Sequence, residues 1–254
     1  MLTITNATKT FVIDAYTQIK ALDNVSLTLG DNDFVILIGS NGSGKTTLFN
    51  AITGEITLDK GSIFQDKENI AYLSTVKRSK KIAKIAQNPL AGTVAELSIV
   101  QNFRLAYLKN KKLGLNIAIT SNFRQKVKEK VALLNMGLED KIDQEMGKLS
   151  GGQRQALSLL MHTWHKPELL LLDEPTAALD AAAADTVMKI VQRIVQEYQI
   201  PCMLITHNIP DMIQYGNRLV QMHKGKIVRD LSLEEKSNLK PEIILKWLSL
   251  PEND

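Results

Sequence analysis

The chain has 254 residues, 44% hydrophobic and 23% charged, ordinary for a soluble globular protein and enough to bury a full α/β core. Its net charge of +4 is compatible with an anionic ligand or a membrane surface and diagnostic of neither. A single cysteine excludes an intrachain disulfide, and no apolar run approaches the roughly 18 residues of a membrane-spanning helix.

Residues 2–13 and 22–36 are rich in Thr, Val, Ile and Leu with turn residues between them, and read as strands of an N-terminal sheet. Phe34 to Ile38 is wholly apolar and short, as in a strand of a parallel sheet buried on both faces. It enters a glycine-rich loop, and a helix follows from Thr46 to Ile52, with Gly54 placed to end it. The basic run 77–84 reads as a solvated face. From Pro89 to Lys148 the pattern turns helical, with amphipathic stretches at 95–108 and 122–134 joined by a polar connection at 109–116, so that a helical lobe interrupts the α/β pattern. Helix is expected again at 152–163 and 181–197, buried strand at 169–172 and 202–206, and a hairpin around His223-Lys224-Gly225. A short helix is expected from Pro241 to 250, proline suiting a first helical turn. Cys202 lies in an apolar strand and reads as a packing residue. Met1 to Lys20 lacks a basic start followed by an apolar block, so no secretory signal is expected and the chain is placed in the cytosol.

Gly39-Ser40-Asn41-Gly42-Ser43-Gly44-Lys45-Thr46 matches the phosphate-loop pattern in full. Its glycines let backbone N–H groups curl around phosphate oxygens, while the following helix presents its positive end to the same anion. Lys45 is expected to reach the β- and γ-phosphates, and the hydroxyl of Thr46 to bind Mg²⁺; Thr47 joins the nucleotide-contacting set. Asp173 ends a second apolar strand, whose C-terminal end should reach the same sheet edge, and is expected to hold Mg²⁺. Glu174 follows and is placed to polarise the attacking water. His207 follows a third such strand and is placed to touch the γ-phosphate. Gln87 ends a further apolar stretch; its neutral amide suits both Mg²⁺ and water, although an ordinary loop glutamine is the alternative. Phe11 and Tyr16 precede the loop, and either suits stacking on an adenine ring. His162, His165 and His223 have no metal-site spacing.

Leu149-Ser150-Gly151-Gly152-Gln153 has no place in a phosphate loop or an acidic strand end. Ser150 stands at the N-cap of the next helix, where its hydroxyl and the nearby N–H groups make a second anion-binding surface. One nucleotide on one chain does not need two such surfaces.

Together these motifs resemble, in order and over nearly the whole chain, the ATP-binding subunit of ABC transporters. The resemblance makes Phe11 the aromatic loop, Gly39 to Thr46 the Walker A motif, Gln87 the Q-loop, Leu149 to Gln153 the LSGGQ motif and Leu169 to Asp173 Walker B, followed by Glu174. Ala177 to Asp180 becomes the D-loop, with Asp180 near nucleotide, and His207 the switch histidine. It implies a P-loop NTPase core of α/β class with an N-terminal antiparallel β subdomain and an inserted α-helical subdomain near 89–148, all within one ATP-binding domain of residues 1–254. It also implies ATP and Mg²⁺ as ligands, a head-to-tail homodimer in which Ser150 and Gly152 of one subunit meet the ATP on the other, and transmembrane permease subunits docked in the groove near Gln87. The location implied is the cytoplasmic face of the cell membrane, held there by the permease, with no nucleic-acid partner. Gln87 to Thr93, Leu157 to Met161 and Tyr215 to Arg218 resemble import-type ATPases paired with permeases of the branched-chain amino acid type and with an extracytoplasmic substrate-binding protein. Val100-Gln101-Asn102 departs from the common family form, in which an acidic residue precedes the asparagine, and Leu160 stands where many relatives carry arginine. The expected activity is ATP hydrolysis powering import of a small solute such as an amino acid. The alternatives are export of lipid, lipoprotein or peptide, and a non-transport role of the kind found on ribosomes, in DNA repair or in iron–sulfur assembly.

Overall fold

A computed structural model describes residues 1–14, 16–88, 92–109 and 119–249. The strands among them are β1 (Leu2–Val12), β2 (Gln18–Leu29), β3 (Phe34–Ile38), β4 (Lys60–Gln65), β5 (Glu68–Asn69), β6 (Ile82–Ile85), β7 (Leu169–Asp173), β8 (Cys202–Ile205), β9 (Arg218–His223) and β10 (Lys226–Leu231). The helices are α1 (Lys45–Thr53), α2 (Thr75–Arg78), α3 (Ile99–Leu108), α4 (Ser121–Ala132), α5 (Gly151–His162), α6 (Ala181–Tyr198), α7 (Ile209–Gln214), α8 (Leu233–Ser237) and α9 (Pro241–Leu248).

β1, β2, β4 and β5 form an antiparallel sheet in the order β2-β1-β4-β5. The larger sheet runs β10-β9-β3-β8-β7-β6, parallel from β9 to β6 with β10 antiparallel at its edge. Strand alternation divides the core in two. Val35, Leu37, Leu169, Leu171, Met203 and Ile205 face α1 and the antiparallel sheet. Phe34, Ile36, Ile38, Leu170, Leu172, Cys202 and Leu204 face the other way, onto α3, α4, α5 and α6. That two-sided burial is why β3, β8 and the first four residues of β7 are apolar short runs rather than alternating ones.

α6 shows how sequence sets a helix here. The Asp180 side chain accepts the Ala183 N–H at its N-terminus, and Val187, Met188, Ile190, Val191, Ile194 and Val195 make one buried stripe. Gln199, at φ 47°, ends it in a left-handed cap.

Several expected boundaries move. The stretch 22–36 is two strands, because Gly30 to Asp33 form a turn in which the Asp33 carboxylate accepts the Gly30 N–H. The helix expected from 95 begins at Ile99, where Ser98 and Gln101 form a reciprocal capping box. The segment before it turns instead, the Leu97 N–H donating to the Val94 carbonyl, while the Leu97 and Ala95 carbonyls accept the N–H groups of Met146 and Gly147. β4, β5, α7 and α8 were not anticipated; they are short, or too polar to carry an apolar period. Within the helical stretch, α3 and α4 pack Phe103, Phe123, Val127 and Val131 into the same core as α5. Pro89, at the expected start of that stretch, most of the 109–116 connection, and position 250 at the end of the expected tail helix lie outside the described residues.

Candidate active site

The parallel order brings four chain segments to one sheet edge. β3 leads into residues 39–44, β7 ends at Asp173, β8 is followed by Thr206 and His207, and β6 ends two residues before Gln87. Ile205 pairs in register with both Leu37 and Asp173, so the phosphate loop and the acidic pair flank β8.

Gly44 takes φ 104°, and a Cβ there would lie 2.3 Å from the Ala21 carbonyl oxygen, so the loop needs glycine at this point. The loop is also held from outside: in the β9–β10 hairpin turn, the Gly225 N–H donates to the Ser43 carbonyl. Asn41 and Gly42 form the exposed tip, Ser40 and Thr47 are half-buried, and Thr46 is exposed at the start of α1. Lys45 is only 5% exposed. Its Nζ donates to the carbonyls of Gly39 at 2.7 Å and Ser40 at 2.9 Å. Burial pushes its pKa down, and the charges of Glu174 and Asp173 oppose that shift.

Asp173 is half-buried. Burial pushes its pKa up, with Glu174 and Glu55 adding to the rise and Lys84 and Lys45 opposing it. Glu174 takes φ 50°, uncommon for a residue with a side chain, and its N–H donates to the Ile205 carbonyl at 3.0 Å. Its carboxylate meets His207, with Oε1 3.0 Å from Nε2, and Oε2 lies 3.5 Å from the Gln87 amide nitrogen. Glu174, His207 and Gln87, picked from separate strand ends, therefore form one line of contacts.

The second glycine-rich turn caps α5. Ser150 Oγ accepts the Gln153 N–H and the Gln153 side chain accepts the Ser150 N–H. The helix starts at Gly151, one residue earlier than the sequence suggests. Gly152 faces the start of α6, where an added Cβ would come within 2.9 Å of Ala183 Cβ. Among the described residues, no hydrogen bond joins Leu149–Gln153 to the phosphate loop. Asp180 is also spent locally, as the cap of α6. Phe11 is partly exposed near the end of β1 with the Lys9 ammonium 5.6 Å from its ring, whereas Tyr16 is 98% exposed beyond the strand.

Two cations of the basic run are not solvated, contrary to the expectation for 77–84. Arg78 is buried and donates to the carbonyls of Ala51 and Ile52 at the C-terminal end of α1, and to those of Leu73 and Ala71. Lys84 donates to Asn50 Oδ1 at 2.7 Å and pairs with Glu55, tying β6 to α1 beside Asp173. A signal existed for Lys84: a lone cation inside the apolar strand Ile82-Ala83-Lys84-Ile85 has to find partners. Nothing local marks Arg78.

A phosphate loop between a buried parallel strand and a helix, with an acidic pair on the strand next but one, defines a P-loop nucleotide-hydrolysing fold. The model of the family described as "ABC transporter" matches residues 22–177, and the chain belongs to that family, whose domain is an ATP-binding ATPase. It is 38% identical over 249 residues to a tyrosine transport ATP-binding protein of Clostridioides difficile, covering 97% of this chain and 98% of that one. It is 30% identical to a phosphonates import ATP-binding protein of Oceanobacillus iheyensis, covering 83% and 84% of the two chains. The ATP-binding cassette MJ0796, in a dimeric post-hydrolysis state bound to ADP and phosphate, superposes with a TM-score of 0.77 at 26% identity over 92% of this chain and 99% of that one.

Proposed function

We propose that the chain is the ATP-hydrolysing subunit of a membrane transporter, that it works as a head-to-tail pair, and that it powers import of a small solute such as an amino acid. The observation that carries the pairing is the separation of the two anion-binding surfaces. Lys45, Asp173, Glu174, Gln87 and His207 converge on one edge, whereas the capped turn at Ser150 shares no hydrogen bond with the phosphate loop of its own chain. A second copy placed head to tail supplies the missing half. Among the described residues no helix is long and apolar enough to cross a membrane, and in this reading partner subunits supply the transport pathway. The cytoplasmic face of the membrane is the location this requires, with an extracytoplasmic binding protein delivering the solute. The amino acid reading draws support from the tyrosine transport relative, whereas permeases of the branched-chain type rest on the sequence resemblance of residues 87–93, 157–161 and 215–218.

The residues present fit the expected ligands. Thr46, Asp173 and Gln87 offer a hydroxyl, a carboxylate and an amide oxygen, the hard donors that suit Mg²⁺. When bound, that ion neutralises charge on the phosphate oxygens. Backbone N–H groups of Gly39 to Gly44 and the N-terminus of α1 cradle the phosphates, and Thr47 lies beside them. Lys45 exchanges its carbonyl partners for phosphate oxygens, and Phe11 stacks on the adenine. Glu174 accepts a proton from the attacking water as the water oxygen bonds to the γ-phosphorus and the bond to ADP breaks. His207 and Gln87 hold that carboxylate in place. Ser150, Gly151, Gly152 and Gln153, with Asp180, close on the nucleotide from the second copy.

The test is purification from detergent-solubilised membranes. The reading expects an integral membrane protein bound in defined ratio, with ATPase activity that rises when its solute is supplied. Recovery with ribosomes and no membrane protein would contradict it.

A further inference from the structure

Gln221 is a buried carboxamide among apolar neighbours. It follows Leu219 and Val220 and precedes Met222 in β9, is 1% exposed, and pairs in register with Ile38, the last residue of β3 before the phosphate loop. An amide buried there without partners would destabilise the fold. Among the described residues, its side-chain partners come from the C-terminal segment. The Arg229 guanidinium, opposite it on β10, donates to its Oε1, and its Nε2 donates to the Trp247 carbonyl at 3.2 Å. That carbonyl belongs to the last turn of α9, where a helix leaves carbonyls open. The same guanidinium lies over the Trp247 ring, 4.5 Å from its centroid. Three groups therefore join α9 to the β9–β10 hairpin.

The hairpin in turn abuts the phosphate loop at its start and its end. A Cβ on Gly39 would lie 2.3 Å from the Met222 carbonyl oxygen, and one on Gly44 would lie 3.1 Å from Met222 Cε. The Gly225 N–H donates to the Ser43 carbonyl. Met222 follows Gln221 directly, so the bonds that fix Gln221 also fix the strand that touches the loop. α9 itself is lightly held: Ile244 is its buried residue, while Ile243 and Leu245 are 39% and 53% exposed. A helix with so little buried surface belongs to the low-stability end of a fold, where its docking responds to what it touches.

We propose that Gln221, Arg229 and Trp247 are positioning residues for nucleotide binding: with α9 docked they hold the β9–β10 hairpin against the phosphate loop, so that docking of α9 and binding of nucleotide favour each other. Linkage makes the two effects equal in size. The proposal rests on the reading that Gly39 to Thr46 hold the phosphates, and is independent of what the ATPase powers.

The test uses the full chain and ADP with Mg²⁺, a ligand that is not turned over. In calorimetric titration, Gln221→Leu, which fills the same space but bonds neither partner, should bind ADP about fivefold more weakly, at the lower end of ordinary coupling between sites. Arg229→Met, at a half-buried position, should weaken binding in the same direction, and it decides the matter if Gln221→Leu does not fold. In the wild type, ADP should slow hydrogen exchange of the α9 amides about fivefold, a response that the variants lose. A purely structural role would lower the unfolding temperature and leave both the ADP affinity of the folded chain and the exchange response unchanged. Folded variants with wild-type ADP affinity, or α9 amides that ignore ADP in the wild type, overturn the proposal. ADP that binds without slowing exchange at residues 39–46 would instead defeat the phosphate-loop reading on which the proposal rests.

Discussion

Glu174 stands where three constraints meet. Its left-handed backbone and its hydrogen bond to Ile205 aim the carboxylate, and His207 and Gln87 hold it from either side. A general base contributes about 10²–10⁴-fold to a rate, so Glu174→Gln should lower kcat by at least about 10²-fold while leaving ATP affinity within a few-fold of wild type. Single-turnover hydrolysis beside equilibrium nucleotide binding checks this, and near-normal turnover removes Glu174 from the role. At the other extreme is Cys202, fully buried in β8, where burial pushes its thiol pKa far above the ordinary range. It should resist a thiol reagent at pH 8 in the native protein and react once urea unfolds it; rapid labelling of native protein would mean that β8 opens easily. These residues were readable in the sequence because strand-end chemistry is local: an apolar run followed by Asp-Glu or Thr-His announces itself. The contact between Glu174 and His207 was not readable, since it depends on β7 and β8 being neighbours, which no local pattern states.

At the scale of elements, α1 is gripped at both ends, by the loop at Gly44 and by Arg78, whose guanidinium satisfies carbonyls that a helix C-terminus leaves open. Replacing Arg78 with Met leaves several buried carbonyls unpaired and should cost about 2–3 kcal/mol of stability, measured by urea unfolding without nucleotide. An unchanged midpoint would show that water replaces the guanidinium at no cost. The turn before α5 has a packing duty within the chain. Gly152 lets α5 approach Ala183 of α6, so Gly152→Ala should cost about 1–3 kcal/mol in the isolated chain, before any partner is considered. Thermal unfolding of the nucleotide-free variant reads this directly, and wild-type stability would leave Gly152 only a role toward the partner. The amphipathic helices and buried strands were legible because burial imposes their period on sequence. β4, β5 and α7 escaped because short polar elements carry no period, and Arg78 because its partners come from elements distant in sequence.

The whole molecule pairs two layers of core around the parallel sheet with two glycine-rich turns, Gly39 to Gly44 and Ser150 to Gln153, that share no hydrogen bond with each other. The central claim is that each ATP is enclosed by Lys45 of one copy and Ser150 of another. Lys45→Ala destroys the first surface and Ser150→Arg the second, so each variant alone should be inactive. In a mixed pair both lesions fall in one site and the other site is intact. Mixing the two purified variants one to one, and measuring ATPase activity in the assembled transporter, should therefore restore up to about a quarter of the wild-type rate, since random pairing makes half the dimers mixed with one good site of two. No restoration from two folded variants that still pair, or full activity of Ser150→Arg by itself, would contradict the shared site.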